Sequence, residues 1–250
     1  MNTKIKHAIV TGGSGIVGSS IVEAFLEENY KVTSISKSGK KIKINSDNKK
    51  NLQCIKLDVS NEKEFKNFLK KITLEQGNVD TLVNCCSHRP MKKGMNDDIS
   101  KWEESILSNA MSLFVPSRLC IQHMIEREIK GSIITISSIY GLVAPQFGIY
   151  EGFDFVSEPD YSYNKYGSIG FTKYLASLYA KNNITANVIA PGGFFNNQPE
   201  GFLERYNSIV PQGKMANKND IKGLVLFLSS DKARYINGAV IPLDGGWTTI

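Results

Sequence analysis

The chain has 250 residues, 41% hydrophobic and 22% charged, with 30 lysines and arginines against 24 aspartates and glutamates, for a formal net charge of +6. That length and balance suit one large globular α/β domain with a substantial core, and no apolar run approaches the roughly 20 residues that cross a bilayer. The positive charge raises nucleic acid as a partner, but the lysines are spread along the chain apart from a patch at 37–50, with no zinc-finger, basic-zipper or aromatic RNA-binding spacing. A basic face for a phosphorylated cofactor or an anionic substrate is the simpler expectation, without nucleic-acid or membrane partners. Four cysteines (Cys54, Cys85, Cys86, Cys120) form no disulfide framework and no metal-ligand spacing, and Met1–His7 with the run after it is no secretory signal. A reducing, cytoplasmic setting without a metal is expected.

In chain order, Ile5–Val10 reads as a short buried strand ending in Thr11-Gly12-Gly13-Ser14-Gly15-Ile16-Val17-Gly18, followed by an amphipathic helix to about Glu28 with Ile21, Val22, Phe25 and Leu26 inward. Strand, glycine-rich turn and helix is the context in which a bare backbone approaches a pyrophosphate and a helix N-terminus offers free N–H groups. Gly12, Ser14, Gly15, Ile16 and Gly18 are therefore candidate dinucleotide contacts. Val32–Ser36 is the next strand. NAD-preferring sites of this kind place a carboxylate at its end, whereas here Ser36-Lys37-Ser38 and two further lysines follow. A hydroxyl and an ammonium suit a 2′-phosphate, so NADP(H) is favoured over NAD(H). The segment 39–51 is polar and asparagine-rich, and its helix is expected to be short or missing.

Leu52–Leu57 is a third strand, ending at Asp58. Phe65, Phe68, Leu69 and Ile72 mark a core-facing helix. Val79–Val83 is a fourth strand, ending at Asn84-Cys85-Cys86-Ser87. Ile99 to about Ile129 reads as a long helix that Pro116 could kink or break. Ser132–Ile136 is a fifth strand, delivering Ser137 and Ser138 at its carboxyl end, the side of a parallel sheet where ligands bind. An aromatic loop, 140–160, precedes a helix from Tyr161 to about Lys181. Then come a strand at Ile184–Ala190, Pro191-Gly192-Gly193, an irregular stretch at 194–214, a helix at about Asn219–Ser230 and a strand at Ala239–Leu243. Alternating strands and helices predict one Rossmann-type, doubly wound parallel sheet with helices on both faces over residues 1–250.

Tyr161 and Lys165 stand four residues apart, slightly more than one helical turn, and so share a face. A phenol ordinarily ionises near pH 10. An ammonium about 4 Å away contributes roughly 4 kcal/mol at an effective dielectric of about 20, enough to bring the phenol towards neutrality. The pair is thus a candidate proton-transfer group, although such pairs also occur on ordinary helix surfaces.

Assembled, these residues resemble the short-chain dehydrogenase/reductase family in its compact branch, over nearly the whole chain. Val79-Asp-Thr-Leu-Val-Asn84 resembles the family's fourth-strand motif, Leu57-Asp58-Val59 its adenine-contacting turn, and Pro191-Gly192 the turn beside the nicotinamide carboxamide. Ile136-Ser-Ser138, Tyr161-x-x-x-Lys165 and Asn109 match its catalytic serine, tyrosine, lysine and asparagine. The resemblance implies proton exchange by Tyr161 during hydride transfer at the nicotinamide, with Lys165 lowering the phenol's pKa and holding the ribose. It implies that Ser138 orients the substrate oxygen and that Asn109 holds a relay water. Asn84 and Cys85 would lie against the cofactor, and Ser138, Tyr150, Tyr161 and Phe194 against the substrate. The family also implies a homo-oligomer, tetramer or dimer.

Three features depart from the compact branch. Ile16 stands where a glycine is usual, Cys85-Cys86-Ser87 follow Asn84, and 23 positions separate Ser138 from Tyr161, about ten more than usual. The insertion, within 139–160, carries Phe147, Tyr150, Phe153 and Phe155 with Glu151, Asp154 and Glu158. It either borders the substrate or packs on a neighbouring subunit. Together with Gly192-Gly-Phe-Phe-Asn-Asn-Gln198 in a substrate-side flap at 194–214, it is similar to oxidoreductases of flagellin and surface-glycan modification. That likeness implies a sugar-like substrate, free or linked to phosphate or a nucleotide. The alternatives are a 3-oxoacyl-acyl-carrier-protein reductase and a non-catalytic cofactor-binding scaffold.

Overall fold

The computed structural model describes residues 5–42 and 48–250. Seven strands, β1 (His7–Thr11), β2 (Lys31–Ser36), β3 (Leu52–Lys56), β4 (Thr81–Asn84), β5 (Ser132–Ile136), β6 (Thr185–Pro191) and β7 (Val240–Leu243), pair in parallel in the order β3-β2-β1-β4-β5-β6-β7. β1, β4, β5 and β6 are buried along their whole length, which is why they are near-continuous apolar runs: a strand covered on both faces has no solvent side to leave polar.

Among the described residues six helices connect them: α1 (Ile16–Glu27), α2 (Glu62–Gln76), α3 (Ile99–Glu126), α4 (Pro159–Tyr179), α5 (Glu200–Ile209) and α6 (Lys222–Ser229). Alternate strand residues feed opposite cores. Ile9, Leu82 and Ile133 join Phe65, Leu119, Met124 and Leu175 beneath α2, α3 and α4. Val10, Val83 and Ile134 join Phe25, Leu26 and Val225 beneath α1 and α6. Each such side chain fully buried contributes about 1.5–3 kcal/mol before entropy. A third cluster, Tyr140, Ile149, Phe202, Tyr206, Met215 and Trp247 among it, sits at the carboxyl ends of the strands.

The predicted elements recur within a few residues of their expected bounds, with three differences. Pro116 neither breaks nor ends α3, which runs 28 residues through it. The lost backbone bond costs about 3 kcal/mol, and burial of Val115, Pro116, Leu119, Cys120 and Ile121 around it outweighs that. α4 starts two residues before Tyr161, because Pro159 fits the first helical position. The stretch 194–214, expected to be irregular, contains α5. Phe202 and Tyr206, four apart, bury together there. Between β2 and β3 the described residues hold only a single 3-10 turn, Lys49–Asn51. Residues 43–47 of the segment predicted to lack a full helix, and Met1–Lys4 of the stretch read as no secretory signal, lie outside the described residues.

The strand order reverses between β1 and β4, where the chain passes to opposite sides of the sheet. Thr11 is level with Asn84, and Asn84 with Thr135. The glycine turn, the loop after β4 and the serines after β5 therefore open onto one crevice, where ligands of such sheets bind. Among the described residues no helix is long and apolar enough to cross a membrane.

Candidate active site

A cavity of about 840 Å³ runs along this crevice. At one end it is walled by the glycine turn. Gly12 has φ +67, and a Cβ there would lie 2.7 Å from the Cys85 carbonyl oxygen; one on Gly18 would lie 2.2 Å from the Gly12 carbonyl oxygen. The turn and the first coil of α1 therefore pack closer than any other residue allows. Gly15 caps α1 without a side-chain bond, so the first-turn N–H groups remain for an anion. Ser14, Gly15 and Ile16 line the cavity with Gly12 and Gly18, and the apolar Ile16 side chain is left exposed beside it. This is the donor set and the bare backbone that a dinucleotide pyrophosphate requires.

Ser36, Lys37, Asp58, Val59 and Cys85 line the next part. The Lys37 ammonium is 2.8 Å from the Asp58 carboxylate. That bond and charge hold the ammonium above its usual range. Burial pushes Asp58 up, but bonds from Lys37 and Ser60 outweigh it and hold the carboxyl below its usual range. Burial raises both neighbouring thiols, Cys85 to about 12, so neither is a thiolate nucleophile at neutral pH. Asn84 is not brought to the cavity wall. It is buried, with its amide donating to Ser117 Oγ of α3 at 2.9 Å.

The other end gathers Ser138, Tyr161, Lys165, Pro191, Gly192 and Phe194. Lys165 is 9% exposed, its Nζ donating to the Ile136 carbonyl at 2.9 Å and lying 5.5 Å from the Tyr161 ring centre. Ser137 Oγ donates to the Lys165 carbonyl, clasping β5 to α4. Ser138 Oγ accepts from the Tyr140 N–H at 3.2 Å, which leaves its own proton to donate. Burial pushes the Tyr161 phenol up, yet Lys165, Arg89 and the Ser138 hydroxyl together overcome this and hold it below the ordinary phenol range. The first turn of α4 is fixed from beneath. Asp160 is fully buried and accepts from Ser105 Oγ of α3, to which Asn109 and Asn164 also donate. Asn109 does not reach the cavity wall; it accepts from the His88 N–H and donates to the His88 carbonyl, at 3.0 and 2.8 Å.

The insertion forms a roof. Tyr150 shares a hydrogen bond with Tyr140 at 2.9 Å, and its ring meets Phe155 and Phe202. Arg205 of α5 donates to the carbonyls of Glu151 and Gly148. Tyr206 accepts from the Gly193 N–H and stacks on Trp247. Tyr150, Phe155 and Ser157 face the cavity, so within this chain the insertion borders the site.

Sequence reasoning missed Arg89, whose guanidinium carbon lies 3.7 Å above the Tyr161 ring centre, and Phe202, Tyr206 and Met215 of the opposite wall. Arg89 stands five residues after Asn84, on the loop leaving the carboxyl end of β4, a position that could have flagged it. The last three carried no signal, since only the fold brings them there.

Residues 10–248 match the short-chain dehydrogenase family model described as Enoyl-(Acyl carrier protein) reductase. The 3-oxoacyl-[acyl-carrier-protein] reductase FabG of Buchnera aphidicola subsp. Baizongia pistaciae is 33% identical over 253 residues, 98% of this chain and 98% of that protein. A short chain dehydrogenase from Leptospira borgpetersenii serovar Hardjo-bovis, solved with bound NAD+, superposes with a TM-score of 0.89 at 31% identity, over 98% of this chain and 93% of that one. ElxO, solved with NADP bound, superposes at 0.84 with 25% identity, over 99% and 100%. Kinship at this identity extends over the sheet and all its helices, and the chain belongs to the short-chain dehydrogenase/reductase family, whose members are oxidoreductases that interconvert hydroxyl and carbonyl groups with a nicotinamide dinucleotide.

Proposed function

We propose that the protein is an NADP(H)-dependent oxidoreductase that interconverts a hydroxyl and a carbonyl on a sugar-like substrate, in the manner of surface-glycan modification. The observation that carries the substrate class is the roof: Tyr150, Phe155 and Phe202 close over the Tyr161 end of the cavity. Aromatic faces mixed with polar groups suit a compact polyhydroxylated ring better than an extended acyl chain.

In this reading Tyr161 gives its proton to the carbonyl oxygen in reduction and takes it back from the hydroxyl in oxidation. Lys165, anchored on Ile136, stabilises the phenolate. The Ser138 hydroxyl donates to the substrate oxygen and holds it beside the phenol. Asn109 fixes the loop after β4 through its two bonds to the His88 backbone. A bound nicotinamide supplies the hydride or accepts it. The glycine turn and the first turn of α1 hold the pyrophosphate, Lys165 the ribose, and Pro191 and Gly192 the carboxamide side. NADP(H) is favoured because Ser36 and Lys37 flank the adenosine end without a carboxylate at the end of β2.

Apolar side chains left exposed on α3 and α4, Ile99, Leu107, Phe114, Tyr163 and Tyr174 among them, support assembly into a homo-oligomer. Free cysteines throughout the described chain support a cytoplasmic setting. A second reading, 3-oxoacyl-acyl-carrier-protein reductase, is favoured by the FabG relative and by the basic net charge, which suits an acidic carrier protein. A non-catalytic scaffold has no reason to keep Ser138, Tyr161 and Lys165 together.

Turnover of keto sugars and of an acetoacetyl thioester, each with NADPH, separates the readings. Faster reduction of the sugars is expected; brisk thioester turnover overturns the sugar assignment. Tyr161→Phe should cost on the order of 10²–10⁴ in turnover of the true substrate.

A further inference from the structure

Of the described residues lining the cavity, Asp58 alone carries a carboxylate, and it is paired with Lys37 at the adenosine end. At the opposite end Arg89 is a cation with no carboxylate within 4.0 Å among the described residues. Its guanidinium lies 3.7 Å above the Tyr161 ring centre and favours the ionised form of both Tyr161 and Tyr150, so it stands beside the proton-transfer group and within electrostatic reach of the roof. The loop that presents it is held rather than loose. The backbone N–H and carbonyl of His88 are both bonded by Asn109, and the His88 ring is bonded to Glu104 at 2.8 Å. An exposed guanidinium on a held loop at the cavity wall, facing no carboxylate among the described residues, is arranged for an anion brought by a ligand, and its planar fork matches carboxylate and phosphate alike.

We infer that Arg89 anchors an anionic group of the substrate, a carboxylate or a phosphoryl, close to the carbon that reacts at Tyr161. The inference rests on Tyr161 marking the reacting end of the cavity. It narrows the substrate class to sugar acids or sugar phosphates and sets it apart from a β-ketoacyl thioester, which carries no charge near its reacting carbon.

The test uses the full-length enzyme saturated with NADP+, so that the adenosine end is filled. Binding of malonate, the carboxylate probe, and of inorganic phosphate, the phosphoryl probe, is measured by calorimetry in wild type, Arg89→Gln and Arg89→Lys. At least one probe should bind wild type, with affinity falling tenfold or more in Arg89→Gln and less in Arg89→Lys, which keeps the charge. Which probe binds tells carboxylate from phosphoryl. NADP+ affinity within about twofold of wild type in both variants shows that the fold is intact. Equal probe affinity in wild type and Arg89→Gln, or no binding of either probe to wild type, overturns the inference. The underlying reading fails separately: it is lost if Tyr161→Phe retains turnover, whatever the anions do.

Discussion

Tyr161 sits among opposing influences. Burial disfavours its phenolate, whereas Lys165, Arg89 and Ser138 favour it, and the cations prevail. Oxidation of a hydroxyl needs the phenolate, so its rate should rise with pH through a midpoint below the ordinary phenol value near 10, and reduction should run the other way. Replacing Lys165 with methionine removes the foremost lowering charge and should move that midpoint upward. A pH profile of oxidation showing the same midpoint in both proteins would refute the pairing. At the adenosine end, Lys37 is shared between Asp58 and any 2′-phosphate. Lys37→Asp replaces an attractive charge with a repulsive one. A charge-assisted bond is worth about 1.5–3 kcal/mol, so preference should swing from NADPH towards NADH by roughly 10–100-fold in kcat/KM. An unchanged ratio measured with both cofactors would remove Lys37 from the clamp.

Two elements that looked independent along the chain are joined in the fold. Arg205 of α5 holds the carbonyls of Glu151 and Gly148, and Phe202 packs on Tyr150, Phe153 and Phe155. The insertion and the segment carrying α5 therefore make one roof, and opening the site requires both to move. Arg205→Ala should raise KM for the substrate several-fold and speed amide exchange across 145–158, while cofactor affinity stays put. Unaltered exchange in that segment would show that the guanidinium fastens nothing. α4 is governed in the same way from α3. Asp160, buried beneath Tyr161, is held by Ser105, so the position of the Tyr161 phenol depends on packing between two helices through residues 55 apart in sequence.

For the whole molecule, the amino ends of the strands matter as much as the carboxyl ends. His7 is fully buried in β1, with its Nδ1 directed to the Gly77 carbonyl and its Nε2 to the Thr33 hydroxyl. A carbonyl can only accept, so Nδ1 carries the proton of a neutral ring. Burial lowers this histidine from 6.5 to about 4. Above pH 6.5 folded and unfolded chains are both neutral there, and His7 adds no pH dependence. As pH falls from 6.5 towards 4 the unfolded chain takes up a proton that the folded one refuses, so stability is lost across that window, on the order of 3 kcal/mol in all. Urea unfolding between pH 7 and pH 4.5 should show this decline, and His7→Gln should flatten it. Parallel slopes for the two proteins would sink the account.

The residues themselves determined the parallel α/β architecture, through apolar strand runs alternating with helical stripes, and the dinucleotide turn, through glycines placed directly after a strand. They also determined the Tyr161/Lys165 pair, because one helical turn of spacing is a local fact. These features are legible because each is set by neighbours within a few positions. Tertiary structure alone decided that Asn84 turns to Ser117, that Asn109 clasps His88, that Lys37 meets Asp58, and that Arg89 lies over Tyr161. It also placed a helix, α5 (Glu200–Ile209), inside the stretch 194–214, because Phe202 and Tyr206 find their apolar partners only once the insertion has folded over them. Contacts between distant segments follow from where strands end and helices cross, and that information lies in the packing of the whole chain, not in any window of it.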